Sequence, residues 1–186
     1  MYKFAAAWEK EPIVFGAARP GYSDKKVYEW IEFMKHQGMQ RVCCLLADRQ
    51  LARYSDLLGK YQQEFGMDHV CWAPIEDFHL SDLETLTKKI LPFLVESDKQ
   101  GEQVVVHCSG GIGRTGHVLA AWLASVRGLS NKAAITAVIR TGRNPGEAAI
   151  TAAIRGRNPL KVIEELDGLL NNCRIAFRCG FTNFTP

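Results

Sequence analysis

Apolar positions along the chain follow two spacings. Short apolar runs occupy residues 2–8, 12–17, 41–46, 69–73 and 102–107. Runs of this length, rich in Val, Ile, Phe and Trp, predict strands. Between them, apolar residues recur at three- and four-residue steps, the spacing of a helix with one buried face. One such series is Val27, Trp30, Ile31 and Met34, and the next is Leu51, Tyr54, Leu58, Tyr61 and Phe65. A third runs Leu83, Leu86, Ile90 and Leu94, and a fourth Val118, Leu119, Trp122, Leu123 and Val126. A last helix is expected from Lys161 through Val162, Ile163, Leu166, Leu169 and Leu170. Arg19-Pro20-Gly21 reads as a turn, and Pro74 ends the strand before it. Ser81-Asp82-Leu83-Glu84 has the form of a capping box opening the third helix. Strands alternating with helices predict an α/β fold, with a central, largely parallel sheet flanked by helices. At 186 residues the chain has the size of one domain with a substantial core.

Composition changes this picture little. Net charge is +3 and no residue type dominates. No apolar stretch approaches the ~20 residues of a membrane span. The start of the chain meets Glu9-Lys10-Glu11 too soon for a secretory leader, so a cytoplasmic protein is expected. The six cysteines, Cys43, Cys44, Cys71, Cys108, Cys173 and Cys179, show no paired spacing and read as reduced thiols. No metal-ligand spacing and no dinucleotide fingerprint is present, so neither metal nor cofactor is expected. Positive charge gathers in Arg127, Lys132, Arg140, Arg143, Arg155 and Arg157, against Glu147 as the one acid of that stretch. It reads either as a solvated helical face or as a basic rim around an anion pocket.

The chemistry concentrates in His107-Cys108-Ser109-Gly110-Gly111-Ile112-Gly113-Arg114-Thr115-Gly116. An apolar strand precedes it and a helical pattern follows. A helix N-terminus offers free N–H groups and a positive dipole end, and a curled glycine loop adds a nest of amides. Residues 109–114 are thus expected to cradle a phosphate: Ser109, Gly110, Gly111, Ile112 and Gly113 by backbone, Arg114 by its planar fork. The same field favours the thiolate form of Cys108, and a thiolate at the base of an anion cradle is a nucleophile aimed at phosphorus.

This decapeptide resembles the His-Cys-x5-Arg loop of the cysteine-dependent protein tyrosine phosphatase superfamily, and its Gly-x-Gly-Arg-Thr-Gly portion the small dual-specificity type. The resemblance implies that Cys108 is the nucleophile and Arg114 the phosphate clamp. It implies that Thr115 eases thiolate departure and that His107 holds the thiolate's surroundings. It also implies an aspartate general acid on the loop after the preceding strand. Asp77 stands there, 31 positions before Cys108. Glu76 and Asp82 compete for that role. Asp82 is explained by the helix dipole. His79 is read either as a border of the site or as a plain loop residue. Acid and base roles for one aspartate imply a bell-shaped pH–rate profile.

Phosphorylated proteins are the expected substrates: phosphotyrosine, with phosphoserine and phosphothreonine admitted by a shallow pocket. No Lys or His lies between Cys108 and Arg114, which disfavours phosphoinositides. No nucleic-acid or membrane partner is expected, although an RNA 5′-phosphate is an alternative substrate. A phosphate-binding module without turnover and a sulfur-transfer or arsenate-reducing enzyme are further alternatives.

Residues 133–145 and 148–159 nearly repeat one another, with an offset of 15 positions at the start and 14 at the end. The resemblance provides for one such helix and loop, so one copy is an insertion. Either Arg143 and Asn144 or Arg157 and Asn158 would then contact substrate or position water. The extra copy reads as a surface hairpin on a monomer. Exchange of the two copies, with swapped dimers, is the alternative.

Overall fold

The computed structural model describes residues 2–156 and 158–181, with side chains as far as Phe177. Five strands, β1 (Ala5–Ala6), β2 (Val14–Ala18), β3 (Arg41–Cys44), β4 (Val70–Trp72) and β5 (Val104–Cys108), form one sheet in the order β1-β2-β5-β3-β4. The pairs β2–β5, β5–β3 and β3–β4 are parallel, and β1 is antiparallel to β2. The expected α/β class, with a largely parallel sheet between helices, is therefore the fold.

β5 is the central strand and is buried along its whole length. Its residues alternate between two cores. Val104, Val106 and Cys108 face the larger one, built with the segment Leu86–Ile90 that follows α4 (Leu83–Thr85), and with α5 (Leu91–Gln100), α6 (Gly113–Ser125), α7 (Asn131–Arg140) and α9 (Pro159–Phe181). Val105 faces the second, where α1 (Asp24–His36) and α3 (Leu57–Phe65) contribute Trp30, Ile31, Met34 and Tyr61. His107 points to this second side, against the rings of Trp30 and Tyr61. The alternation alone sends Cys108 towards the α6 side and His107 away from it.

Three local expectations change. The helix expected from Leu51 to Phe65 is two pieces, α2 (Asp48–Leu51) and α3, with a break at residues 52–56. Asp56 causes the second start by accepting from Gly59 N at 2.9 Å. The box at 81–84 is shifted by one residue. Asp82 is the N-cap, accepting from Thr85 N at 2.7 Å, and Ser81 turns its backbone elsewhere. Between α4 and α5 the chain makes a π-helical turn, Leu86–Ile90. Pro92 follows at the start of α5 and has no N–H to continue an ordinary ladder.

Arg127 does not belong to a basic rim. Its guanidinium bonds Glu11 at 2.9 and 3.0 Å and Asp98 at 2.6 and 2.8 Å. Trp122 Nε1 also donates to Glu11, at 3.1 Å. The Glu11 side chain is fully enclosed, so this cluster ties the segment before β2 to α5 and α6. No helix among the described residues is long and apolar enough to cross a membrane. Replacing Arg127 with Ala strands a buried carboxylate, and urea unfolding should show a loss of about 3–5 kcal/mol.

Candidate active site

The loop from Cys108 to Gly113 joins the central strand to the N-terminus of α6. Cys108 is 2% exposed, at the carboxyl end of the sheet where open α/β folds place ligands. Gly111 has φ +67°, and a Cβ there would lie 2.5 Å from the carbonyl of Ala17. That glycine lets the loop press against β2 rather than against a ligand.

Arg143, from the Arg-Asn-Pro of the first copy, lies beneath the loop. It is 3% exposed. Its Nη1 donates to Gly111 O at 2.6 Å, and its Nη2 to Gly16 O at 2.6 Å and Lys3 O at 2.7 Å. Burial lowers its pKa, and the charge of Cys108 acts in the opposite direction. The expectation that Arg143 touches substrate is corrected here, because three carbonyls occupy its fork from below. Asn144 also supports the loop: its N–H reaches Ile112 O at 3.4 Å, and its Oδ1 accepts from Gly146 N. Asn158 of the second copy is exposed and accepts from Leu160 N at the start of α9, so it does not reach the loop. Arg157 lies outside the described residues, as does the Cys179 side chain.

Arg114 is 3% exposed and works on two sides. Nη1 donates to Gln50 Oε1 at 2.7 Å and Ile75 O at 2.9 Å. Nη2 lies 2.9 Å from Asp77 Oδ1, an ion pair without hydrogen-bond alignment, so among the described residues this nitrogen keeps an unused donor. Asp77 is thus the acid that the fold brings to the loop's arginine. Glu76 turns outward to Arg49 at 2.9 Å, and Asp82 is spent on its cap. A turn closed by His79 N to Glu76 O at 3.1 Å presents Asp77. Phe78 takes the left-handed conformation in it, φ +62°. His79 Nδ1 bonds the Asp77 carbonyl at 2.9 Å, so its ring braces the turn.

Thr115 is wholly buried and its Oγ1 has no hydrogen-bond partner among the described residues. His107 is buried with Nε2 3.3 Å from Tyr61 Oη. Burial pushes its pKa down to about 3, with partial relief from the Cys108 backbone, so the ring is neutral.

Sequence reading missed Arg19, Gln50, Tyr54 and His117. Ala18 pairs with Cys108 in the sheet, which sets Arg19 beside the loop. Its Nε approaches Ser109 Oγ at 3.4 Å and its Nη1 the Tyr54 hydroxyl at 3.1 Å. Tyr54 in turn donates to Pro20 O at 2.9 Å. No local signal shows this, because it depends on β2 lying next to β5. His117 is 1% exposed on α6, and its Nε2 accepts from Ser81 N at 3.1 Å. It joins the phosphate-loop helix to the far end of the acid loop. Burial pushes it down to about 4, against a bond to the Gly113 backbone.

Of the remaining basic residues, Lys132 and Arg140 border a groove at Trp8. Arg155 lines the cavity beside Asp77. No group of three His, Cys, Asp or Glu side chains among the described residues is placed to hold a metal.

This geometry agrees with comparisons to known proteins. A putative tyrosine phosphatase of invertebrate iridescent virus 6 is 32% identical over 66 residues, covering 36% of this chain and 46% of that one. Dual specificity protein phosphatase 5 of Homo sapiens is 24% identical over 116 residues, covering 61% of this chain and 30% of its own length. The chain thus spans less than a third of that relative. The solved structure of Tk-PTP in its active form is 28% identical with a TM-score of 0.63, covering 84% of this chain and 92% of that one. PTPMT1, at 15% identity, shares the fold with a TM-score of 0.65 over 91% of this chain and 95% of its own. The family described as "Polymorphic toxin system, DSP-PTPase phosphatase" matches residues 15–127, more than half of the chain, and the chain belongs to it, within the cysteine-dependent tyrosine and dual-specificity phosphatases.

The two buried histidines have a measurable consequence. Both are neutral when folded, with values near 3 and 4 against an ordinary 6.5. The unfolded chain takes up protons first as pH falls below 6.5. Their stabilisation is therefore complete above that value and is lost towards the folded values, at about 1.4 kcal/mol per pH unit for each. Urea unfolding at about pH 7 and about pH 5 should show this decline. His117→Gln, which can still accept from Ser81, should make it shallower.

Proposed function

We propose that the chain hydrolyses phosphate monoesters on proteins, phosphotyrosine together with phosphoserine and phosphothreonine, through a phosphocysteine at Cys108. The observation that carries this reading is Asp77 on Arg114 Nη2 at 2.9 Å, beside a cysteine at the end of the central strand. Nucleophile and clamp come from the one loop between β5 and α6, and the acid comes to that clamp from the separate loop after β4. That convergence disfavours a binding module without turnover. The neutral residues from Ser109 to Gly113 disfavour a lipid headgroup.

The substrate's phosphate oxygens take the loop amides and the inner edge of Arg114. A phosphate oxygen and Asp77 compete for Nη2, so binding lifts the carboxyl group off the guanidinium towards the leaving oxygen. The Cys108 thiolate attacks phosphorus as the P–O bond to the leaving group breaks. Once off the guanidinium the Asp77 carboxylate takes up a proton from solvent, and the leaving oxygen receives that proton as its bond to phosphorus breaks. Water, losing a proton to the Asp77 carboxylate, then attacks phosphorus. The P–S bond breaks, the Thr115 hydroxyl donates to the departing thiolate, and inorganic phosphate leaves. His107 and Arg143 hold the loop without touching substrate.

The family description ties its members to polymorphic toxin systems. In such a system the activity this chain brings is phosphoester hydrolysis. The five described cysteines are all unpaired thiols.

Cys108→Ser should abolish turnover of both aryl phosphates and phosphopeptides while phosphopeptide binding persists. Asp77→Asn should slow alkyl and phenolic substrates with poor leaving groups by roughly 10²–10⁴-fold and activated aryl phosphates far less. Equal losses on both kinds would remove Asp77 from the acid role. Activity on phosphoinositide vesicles above that on phosphopeptides would replace the proposed substrate class.

A further inference from the structure

The two copies of the duplication end in different places. The first reaches the underside of the loop. The second, α8 (Glu147–Ile154), delivers Arg155 to the acid side of the pocket, its guanidinium 5.8 Å from the centre of the Phe78 ring. The cavity there has a volume of about 600 Å³ and is walled by Arg49, Arg53, Glu76, Asp77, Phe78 and Arg155. It adjoins the catalytic pocket through Asp77.

The charges of this cavity do not balance. Three arginines stand against two carboxylates. Asp77 is held by Arg114 and Glu76 by Arg49, each at 2.9 Å. Arg53 and Arg155 have no carboxylate partner among the described residues. Arg53 is stacked on an aromatic ring instead, while Arg155 makes only a longer contact with one, at 5.8 Å from the Phe78 centre. Arg53 lies 3.7 Å from the centre of the Tyr22 ring, whose stacking partners also include Arg19 at 3.7 Å. A guanidinium stacked on a ring keeps its N–H edge available and is already partly ordered. Cations in a cleft attract anions more strongly than the same cations on an open face. Phe78 is 36% exposed in this cleft, which gives it the mixed apolar and cationic lining that an extended peptide can use.

We infer that Arg53 and Arg155 form a second anion subsite, selecting peptides that carry another phosphate or a carboxylate close to the phosphorylated residue. The inference rests on the phosphatase reading for its substrate, and its test separates the two. Phosphotyrosine peptides are prepared with a neighbouring phosphothreonine, a neighbouring glutamate or a neighbouring alanine. Their affinity is measured with the Cys108→Ser chain by fluorescence anisotropy, and their turnover with the unaltered chain. The second anion should tighten binding by about tenfold, as one charge-assisted contact discounted for exposure would. The phosphothreonine and glutamate peptides show which anion the subsite prefers.

Arg53→Ala and Arg155→Ala should each remove most of that preference, and added salt should shrink it. Both arginines are exposed, so the variants should fold. Arg140→Ala removes the matching arginine of the first copy, at the distant Trp8 groove, and should leave the preference intact. Equal affinity for all three peptides, or a preference that survives both replacements, overturns the subsite. An inositol bisphosphate that binds more tightly than every peptide overturns the peptide assignment. Failure of the unaltered chain to turn over any peptide overturns the phosphatase reading, while a binding preference lost with Arg155 still supports the subsite.

Discussion

The guanidinium of Arg143 carries the architecture of the site. It is a buried cation whose fork is filled by carbonyls of Lys3, Gly16 and Gly111, from three segments far apart in sequence. Those carbonyls would otherwise face one another without a donor. Closing them around one arginine pins the phosphate loop to β2 and to the chain's first residues. It also explains why β2 must carry glycine at position 16. A Cβ there would lie 2.9 Å from Thr115 Cγ2 and 3.0 Å from Arg143 itself. Of the loop carbonyls, Gly111 O is satisfied by Arg143 and Ile112 O by the Asn144 and Gly116 amides.

Arg114 repeats this economy at the mouth of the pocket. One nitrogen is committed to Gln50 and Ile75, which fixes the plane of the fork. The other holds Asp77 and is the atom that a phosphate oxygen would take. The same contact that parks the acid therefore makes its release conditional on substrate. His117 sets the other end of that loop by accepting from Ser81. The acid loop is thus tied to α6 at both ends, through Ile75 O on Arg114 and Ser81 N on His117.

Much of this was legible in the sequence where the cause is local. The strand-loop-helix at 104–116 and the helix of Trp30 and Met34 follow from periodicity and glycine spacing. Asp77 was expected from the family resemblance and its place after a strand, and the fold sets it 2.9 Å from Arg114. The rest depends on neighbours in space. The antiparallel direction of β1 and the place of Arg19 follow from sheet order, which no local pattern encodes. The break before α3 needed Asp56 to be recognised as a cap within an otherwise continuous helical pattern. The duplication shows the limit most plainly. Near-identical residues form α7, buried through Ala134 and Val138, and α8, buried through Ala148, Ala149 and Ala152. Arg140 and Arg155 share their local sequence, yet only Arg155 lies beside the acid loop.

The account stands on covalent chemistry at the end of β5. Its most direct test is rapid acid quench of the chain with an activated aryl phosphate, followed by digestion and mass spectrometry. The account predicts one added phosphoryl group, on the peptide that contains Cys108, more abundant in an Asp77→Ala chain whose second step lacks its base. A chain that turns over substrate with no phosphoryl adduct, or with the adduct on a peptide lacking Cys108, would contradict it.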